Sequence, residues 1–325
     1  MSDVLVGALS LLLATNKATA LTNLVAERTG WVEPVAATND PVAMEFQALL
    51  KEDDVATEQI QRWLDAFPTG TEIPAETKKK IDEREDGLRR KYEDFLLKNP
   101  RHAEATIAFG SFLGDTGDEA GMVVQWEKAR ELDPSNPAIW NNLGGHYAHR
   151  GPIEKAFPYL EKAIELNPKE AQYWHALGTL TFLFRRDAET YYKLDEPGVF
   201  KKAFEFYDKA LALQPLSFKL AADVAQTWYG VRIPAKLADE ERKLEEARIV
   251  ESGLKAWTNA FRLALDDNAR EAVRLHCARW QIRAGQWNAA RTNLDLVADP
   301  ALGDLKGRLE RNWKEKQAPK TEAAK

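Results

Sequence analysis

Residues 137–168 read PAIWNNLGGHYAHRGPIEKAFPYLEKAIELNP, and this stretch decides the fold of the chain. Its first half predicts a helix that ends at Gly151, because apolar residues stand at positions i, i+3, i+4 and i+7. These residues are Trp140, Leu143, Gly144 and Tyr147. A second helix follows at once, and its facing stripe consists of Ala156, Leu160 and Ala163. The stretch therefore predicts a helical hairpin, which cannot bury its apolar face without neighbours.

The pattern of this hairpin resembles the tetratricopeptide repeat (TPR), which reads W-x2-L-G-x2-Y, then A-x3-F, then a proline. The hairpin departs from that pattern only at Leu160, where an aromatic residue usually stands. The resemblance implies an all-α, right-handed superhelical solenoid of helix-turn-helix repeats that offers a curved surface to another molecule. The chain resembles TPR-only bacterial scaffold proteins in particular, and the resemblance does not indicate the partner.

The repeat period is visible in the prolines, because Pro100, Pro134 and Pro168 are thirty-four residues apart. Similar patterns continue to about residue 300, which predicts about five repeats. Two inserts, near residues 186–200 and 231–250, fall between the paired helices of the third and fourth repeats. Inserts at equivalent turns are expected to emerge side by side on one edge of a solenoid.

Four segments follow from these patterns. We predict an apolar helix or signal segment over residues 1–30, and over 31–100 a helical extension that ends in a half repeat. The TPR array then occupies 101–300, and 301–325 forms a capping helix with a disordered tail. Within the extension, helical spacing predicts two helices that are joined across Asp53-Asp54.

The N-terminal stretch VLVGALSLLLA, residues 4–14, is too short to cross a bilayer as a helix, so no transmembrane span is predicted. Residues 18–20, Ala-Thr-Ala, suit a signal-peptidase site, but no Lys or Arg precedes the apolar stretch. We therefore favour a buried helix in a cytoplasmic protein. Periplasmic export, as an envelope or complex-assembly factor, stays open as the alternative.

Composition narrows the classes of partner. The formal net charge is −6, so the chain lacks the basic field that attracts nucleic acid, and no nucleic-acid partner is expected. The single cysteine, Cys277, excludes an internal disulfide. It stands where other repeats carry a core leucine, which predicts a small buried residue and not a nucleophile.

Three histidines form the one cluster that suits a metal site or a general base: His146, His149 and His175. No carboxylate or thiol stands beside them at ligand spacing, and no nucleophile and base are paired elsewhere. The sequence therefore predicts no enzyme, no metal and no cofactor. A histidine-based, metal-dependent enzyme remains the alternative of another class.

The opposite face of each first helix is expected to line a concave groove that binds a protein or peptide. Some TPR proteins bind acidic chaperone tails through Lys, Asn and Arg on this face, but only Asn141 matches that set, and no cation supports it. The prediction is a non-enzymatic scaffold or adaptor with a polar groove and aromatic anchors, of unknown oligomeric state. The predicted groove residues are Ile107, Asn141, His149, His175, Phe182, Gln226 and Tyr229.

Overall fold

The computed structural model describes residues 40–68 and 70–317, in which there are fourteen α-helices and three short 3-10 helices. The chain forms two compact units, one up to Asn167 and one from Pro168. The predicted segment 1–30, most of the connector after it, and the end of the tail lie outside the described residues. Within the described ranges no helix is both long and apolar enough to cross a membrane.

The first unit consists of three successive helical hairpins, α1 with α2, α3 with α4, and α5 with α6. A 3-10 turn, Ile153–Lys155, precedes the last of these helices. The bounds are α1 Pro41–Asp65, α2 Ala75–Lys98, α3 Ala103–Asp115, α4 Glu119–Leu132, α5 Pro137–His149 and α6 Ala156–Leu166.

The second unit continues the same construction. Helix α7 pairs with α9 across the short helix α8, α10 pairs with α11, and α12 pairs with α13, while α14 packs on both helices of the last hairpin. The bounds are α7 Ala171–Leu183, α8 Arg185–Tyr192, α9 Glu196–Leu213, α10 Phe218–Thr227, α11 Asp239–Leu263, α12 Asp267–Arg283, α13 Trp287–Asp295 and α14 Gly303–Gln317. The predicted all-α repeat fold is confirmed.

The hairpin of α3 and α4 shows why these residues turn and pack. Gly117 adopts a φ of +88° at the turn, a left-handed conformation that favours glycine. Asp118 then caps α4, because its Oδ1 accepts a hydrogen bond from the Gly121 amide at 2.9 Å. A Cβ on Gly110 would lie 2.6 Å from the Trp126 ring, so this glycine allows the two helices to approach closely.

The hairpin of α5 and α6 corrects one detail of the predicted apolar stripe. Leu143 has no exposed surface, but Trp140 is only half-buried. Its indole Nε1 donates to the Pro134 carbonyl oxygen at 2.8 Å, and its ring lies 5.3 Å from that of Tyr159. Trp140 therefore holds the preceding turn against the hairpin and is not a central core residue.

The prediction of two helices joined at Asp53-Asp54 is wrong, because α1 runs through both residues without a break. Aspartate often caps a helix with its side chain, and this preference suggested the break. Asp53 is instead buried, and its Oδ2 accepts a hydrogen bond of 2.6 Å from the Tyr92 hydroxyl of α2. The carboxylate thus joins the two helices of the first hairpin.

The insert near residues 186–200 is not a free loop. It consists of α8 and the first turn of α9, and Ala188 in α8 has no exposed surface. Lys193 ends α8 with a φ of +55°, a left-handed conformation that is costly for a residue with a side chain. The insert is therefore anchored to the second unit through Ala188, Val199 and Phe200, while most of its other residues are exposed or half-buried.

Candidate interaction site

In the first unit, the structure places the three predicted groove residues in three different environments. Ile107 has no exposed surface, so the expectation that it lines an open groove is wrong. The physical reason is that α3 is apolar on every face and buried throughout residues 105–113. Asn141 is half-buried and His149 is exposed, so these two side chains remain open to a partner.

In the second unit, Phe182 is also buried, which corrects its predicted role as an exposed anchor. Its ring lies 5.7 Å from that of Phe200, and a Cβ on Gly230 would come within 2.4 Å of its Cζ. His175 Nε2 lies 3.5 Å from an Asp223 carboxylate oxygen. Burial, with a smaller effect of Lys219, lowers the pKa of His175 to about 4, so this imidazole is neutral near pH 7.

The structure does not assemble the histidines into a metal centre. In the part of the chain that is described, no three His, Cys, Asp or Glu side chains group at distances that suit a metal ion. His146 packs its ring against Tyr147, 5.5 Å away. Cys277 is buried, and burial raises the pKa of its thiol to about 11, which suits the core position predicted for it.

Tyr229 is the predicted groove residue that lines a well-defined cavity. This cavity, which we call the Tyr229 pocket, has a volume of about 240 Å³ and lies entirely in the second unit. It is formed by the 3-10 turn after α10, the last two turns of α12, and one face of α14. The lining residues are Tyr229, Arg279, Trp280, Ile282, Arg283, Asn312 and Lys316.

The floor of the Tyr229 pocket is aromatic and rigidly packed. The ring of Tyr229 stacks on Trp280 at 5.0 Å with an interplanar angle of 24°. Behind it, Trp257 stacks on His276 at 3.8 Å and 2°. The close packing requires a glycine on α11, because a Cβ on Gly253 would lie 2.6 Å from Cζ2 of Trp280.

The floor carries polar atoms but no charge near neutral pH. The Tyr229 hydroxyl shares a 3.0 Å hydrogen bond with His276 Nδ1. Burial lowers the pKa of His276 to about 3, assisted by Arg279, and burial raises the pKa of Tyr229. The indole N–H groups of Trp257 and Trp280 are buried and have no hydrogen-bond partner among the residues described.

The rim of the Tyr229 pocket is positive. The guanidinium of Arg279 lies 5.2 Å from the centre of the Tyr229 ring, and that of Arg283 lies 5.2 Å from the centre of the Trp280 ring. Arg283 also makes a long ion pair of 3.5 Å with Glu246, which is outside the lining. None of the seven lining residues is acidic, so Arg279, Arg283 and Lys316 present donors suited to a carboxylate.

The sequence contained a signal for part of this rim. Arg279 and Arg283 occupy the positions in the fifth repeat that Gly145 and His149 occupy in the second, so the predicted groove stripe extends to them. The contribution of Lys316 has no such signal, because α14 lies outside the repeat pattern. The fifth repeat therefore carries two arginines at the predicted groove positions that hold Gly145 and His149 in the second repeat.

Repeated hairpins with small residues at their crossings define the chain as an α-helical repeat protein. Its hairpins resemble tetratricopeptide repeats, because α5 and α6 carry the W-x2-L-G-x2-Y pattern and the flanking hairpins bury corresponding positions. No family model matches the chain.

Two curated proteins share short segments with the chain. A segment of 64 residues is 39% identical to the protein CTR9 homolog of Arabidopsis thaliana, and covers 20% of this chain and 6% of that protein. A segment of 126 residues is 29% identical to the protein O-mannosyl-transferase TMTC1 of Mus musculus, and covers 38% of this chain and 11% of that protein. The chain thus matches only a small part of either relative.

Solved structures resemble the chain at low sequence identity. Pseudomonas aeruginosa pilF is 16% identical with a TM-score of 0.49, over 82% of this chain and 99% of that one. YrrB, described as a TPR protein with an unusual peptide-binding site, is 15% identical with a TM-score of 0.47, over 68% of this chain and 97% of that one.

Proposed function

We propose that the chain is a non-enzymatic scaffold that binds a protein segment bearing a carboxylate at the Tyr229 pocket. The observation that carries this proposal is the placement of Arg279, Arg283 and Lys316 around an uncharged aromatic floor with no acidic residue in the lining. Arginine and lysine donate charge-assisted hydrogen bonds to carboxylates, and aromatic rings supply apolar contact beside them.

The size of the pocket favours a side chain or a chain terminus over a separate small molecule. Its volume of about 240 Å³ is below the range of roughly 300–1,000 Å³ that is typical of small-molecule sites. Repeat proteins of this architecture use extended surfaces to bind other proteins, and a single terminal pocket fits one residue of such a partner. A net charge of −6 argues against a polyanion such as nucleic acid.

The pocket does not support an enzymatic role. His276 shares its Nδ1 with Tyr229, and its low pKa makes it a poor base at pH 7. The seven lining residues include no nucleophile that is paired with a base. The arrangement therefore suits recognition.

The proposal is tested by retrieving partners from the native host with the full chain, identifying them by mass spectrometry, and titrating the purified partner. We expect the double variant Arg279→Gln/Arg283→Gln to weaken binding by about 1 to 3 kcal/mol, as loss of interface arginines commonly does. Arg262→Gln on α11 is the matched control, because Arg262 lies outside the pocket. Equal affinity of the double variant and the control would refute the proposed site.

A further inference from the structure

The two inserts of the second unit meet at another cavity, which shares no lining residue with the Tyr229 pocket. This insert-edge cavity has a volume of about 410 Å³. Its walls come from α9, from the non-helical segment at residues 231–234, and from α11. The inserts are not part of the repeat pattern. The pattern therefore does not predict this cavity.

The floor of the insert-edge cavity is an open aromatic shelf. The rings of Phe204 and Trp228 stack at 4.1 Å with an interplanar angle of 22°, and both side chains are half-buried. Phe200 and Val231 pack together beside them and hold the segment after α10 against α9. The shelf thus leaves aromatic surface that an apolar side chain would cover.

Two charged groups of opposite sign in the lining lack an ion-pair partner. In the described part of the chain, Asp208 on α9 and Arg232 on the segment after α10 form no ion pair within 4 Å. Burial and nearby Glu205 raise the pKa of Asp208, while Lys255 acts in the opposite direction without forming an ion pair within 4 Å, so a closer cation would stabilise the carboxylate. The other close charges are already paired, since Glu245 accepts hydrogen bonds of 2.6 and 2.8 Å from Arg248.

The segment after α10 also offers unused backbone donors. Val231 is extended, with φ −68° and ψ 128°. Across the residues described, the amide N–H groups of Val231, Arg232 and Ile233 donate no hydrogen bond to other backbone atoms. Because N–H groups alternate in direction along an extended segment, a peptide laid along one side accepts hydrogen bonds either from Val231 and Ile233 or from Arg232, as in strand addition.

We propose that the insert-edge cavity is a second docking site, which takes an extended protein segment with an apolar side chain flanked by one basic and one acidic residue. The apolar side chain covers Phe204 and Trp228. The basic residue pairs with Asp208, and the acidic residue pairs with Arg232. The balanced charge of the lining disfavours a phosphate group or an anionic lipid surface, each of which needs a cationic site.

The test uses synthetic peptide probes on an array and the full chain, so that no natural partner is needed. The probes carry the cores Lys-Leu-Asp and Asp-Leu-Lys, together with the neutral core Gln-Leu-Asn, all between the same Gly-Ser flanks. We expect one of the two charged orders to bind about twofold to fivefold more strongly than the neutral core, the gain typical of one or two partly exposed ion pairs. Equal binding of charged and neutral cores would overturn the proposal.

The decisive variant exchanges the two charges, Asp208→Arg/Arg232→Asp. We expect it to reverse the preferred order of the charged cores, which a merely structural role of these residues would not do. An unchanged order preference would overturn the proposal. Should this variant lose its circular dichroism melting transition, Asp208→Asn and Arg232→Gln replace it, and each is expected to bring the charged and neutral cores closer to equal binding.

Arg279→Gln serves as the control that separates the two sites. It lies in the Tyr229 pocket and not in the insert-edge cavity, so the order preference should persist in this variant. Loss of the preference in Arg279→Gln would place the probe in the Tyr229 pocket and reject the second site. Failure of the second site leaves the first intact, because the decisive variants change Asp208 and Arg232 here but Arg279 and Arg283 in the Tyr229 pocket.

Discussion

At the scale of single residues, burial decides how much a residue of the α5–α6 hairpin contributes to stability. The size of the side chain matters less. The sequence pattern led us to expect a loss of about 3 to 5 kcal/mol for Trp140→Ala, as for a buried aromatic. The structure shows that Trp140 is half-buried, whereas Leu143 has no exposed surface. The smaller side chain therefore occupies the more critical position.

We predict that Leu143→Ala costs about 2 to 5 kcal/mol, because it opens a cavity in a closed core. Trp140→Ala should cost about 1 to 2 kcal/mol, from one hydrogen bond to Pro134 and part of the ring packing. Denaturant titration of both variants measures the difference. A larger loss for Trp140→Ala than for Leu143→Ala would contradict this assignment of the core.

His276 is expected to make stability depend on pH. Its folded pKa of about 3 lies below the ordinary value of 6.5, because the ring is buried beside Tyr229 and Arg279. Below pH 6.5 the unfolded chain therefore binds a proton that the folded chain rejects, and falling pH favours unfolding. Above about pH 7 the titration of His276 should not reduce the free energy of unfolding. Between about pH 6 and pH 4 that free energy should fall by roughly 1.4 kcal/mol per pH unit.

Urea titrations across this pH range test the effect with two variants. His276→Gln should flatten the pH dependence by about the slope of one proton. Asn288→Gln, at an exposed side chain that does not titrate, should leave the pH dependence as in the original chain. Identical slopes for His276→Gln and the original chain would mean that another group titrates.

At the scale of the helix, glycine has opposite roles in two places. Gly253 lies in α11 where an added Cβ would be 2.6 Å from Trp280, a ring with almost no exposed surface. Gly87 lies in α2, where an added Cβ would have no neighbour within 4 Å. The first glycine is required by helix packing, and the second only weakens its helix.

We predict that Gly253→Ala destabilises the protein by about 1 to 3 kcal/mol through overpacking. Gly87→Ala should stabilise it by about 0.5 to 1 kcal/mol through helix propensity. Thermal melts of both variants provide the measurement. A neutral Gly253→Ala would show that α11 and α12 adjust their spacing easily.

The insert between α7 and α9 belongs to the same scale. Its position at a repeat turn led us to expect that deleting residues 187–198 would leave the helices stacked. Ala188, which the deletion removes, is completely buried and packs α8 onto the second unit. We now predict that this deletion lowers the melting temperature by roughly 5 °C or more, which corresponds to about 2 kcal/mol for a unit of this size.

Calorimetry on the deletion variant gives the measurement. Lys193→Gly is a matched control within the same insert, because it keeps α8 and relieves a left-handed backbone conformation at φ +55°. That control should melt at the same or a slightly higher temperature. Equal melting of the deletion variant and the original chain would restore the earlier interpretation of a dispensable loop.

At the scale of the whole molecule, the Tyr229 pocket and the chain as a whole have charges of opposite sign. The chain carries a net charge of −6, yet the lining of the Tyr229 pocket contains three cations and no acid. The groove that we predicted from the first four repeats contained few charges and suggested a modest salt dependence. With Arg279, Arg283 and Lys316 at the pocket, partner binding is expected to depend on ionic strength.

We predict that raising NaCl from about 50 to about 500 mM weakens binding of the partner severalfold, because exposed charges are screened within a few ångströms at the higher concentration. Titrations of the retrieved partner at several salt concentrations measure this dependence. The Arg279→Gln/Arg283→Gln variant should show a smaller dependence on salt. Salt-independent binding by the original chain would point to contacts other than this rim.

The sequence by itself determined the repeating hairpins. Pro100, Pro134 and Pro168 mark the period, and residues such as Gly117 and Gly144 mark turns and close crossings, because helix periodicity and backbone conformation depend on neighbouring residues. Local rules also suggested Tyr229 as a partner-binding residue, a role that stays a prediction. These rules wrongly predicted a helix break at Asp53. Its carboxylate does not cap a new helix but accepts a hydrogen bond from Tyr92 of the neighbouring helix.

Only the tertiary structure decided which faces stay open. Ile107 and Phe182 stand at positions that the repeat pattern assigns to a groove, but each is covered because its helix is packed on more than one side. The pocket is likewise tertiary, since Tyr229 and Lys316 lie far apart in sequence and meet only when α14 folds against the last hairpin. Which side chains are buried, and which meet in a pocket, depends on contacts between residues that are distant in sequence. A local sequence pattern does not contain this information.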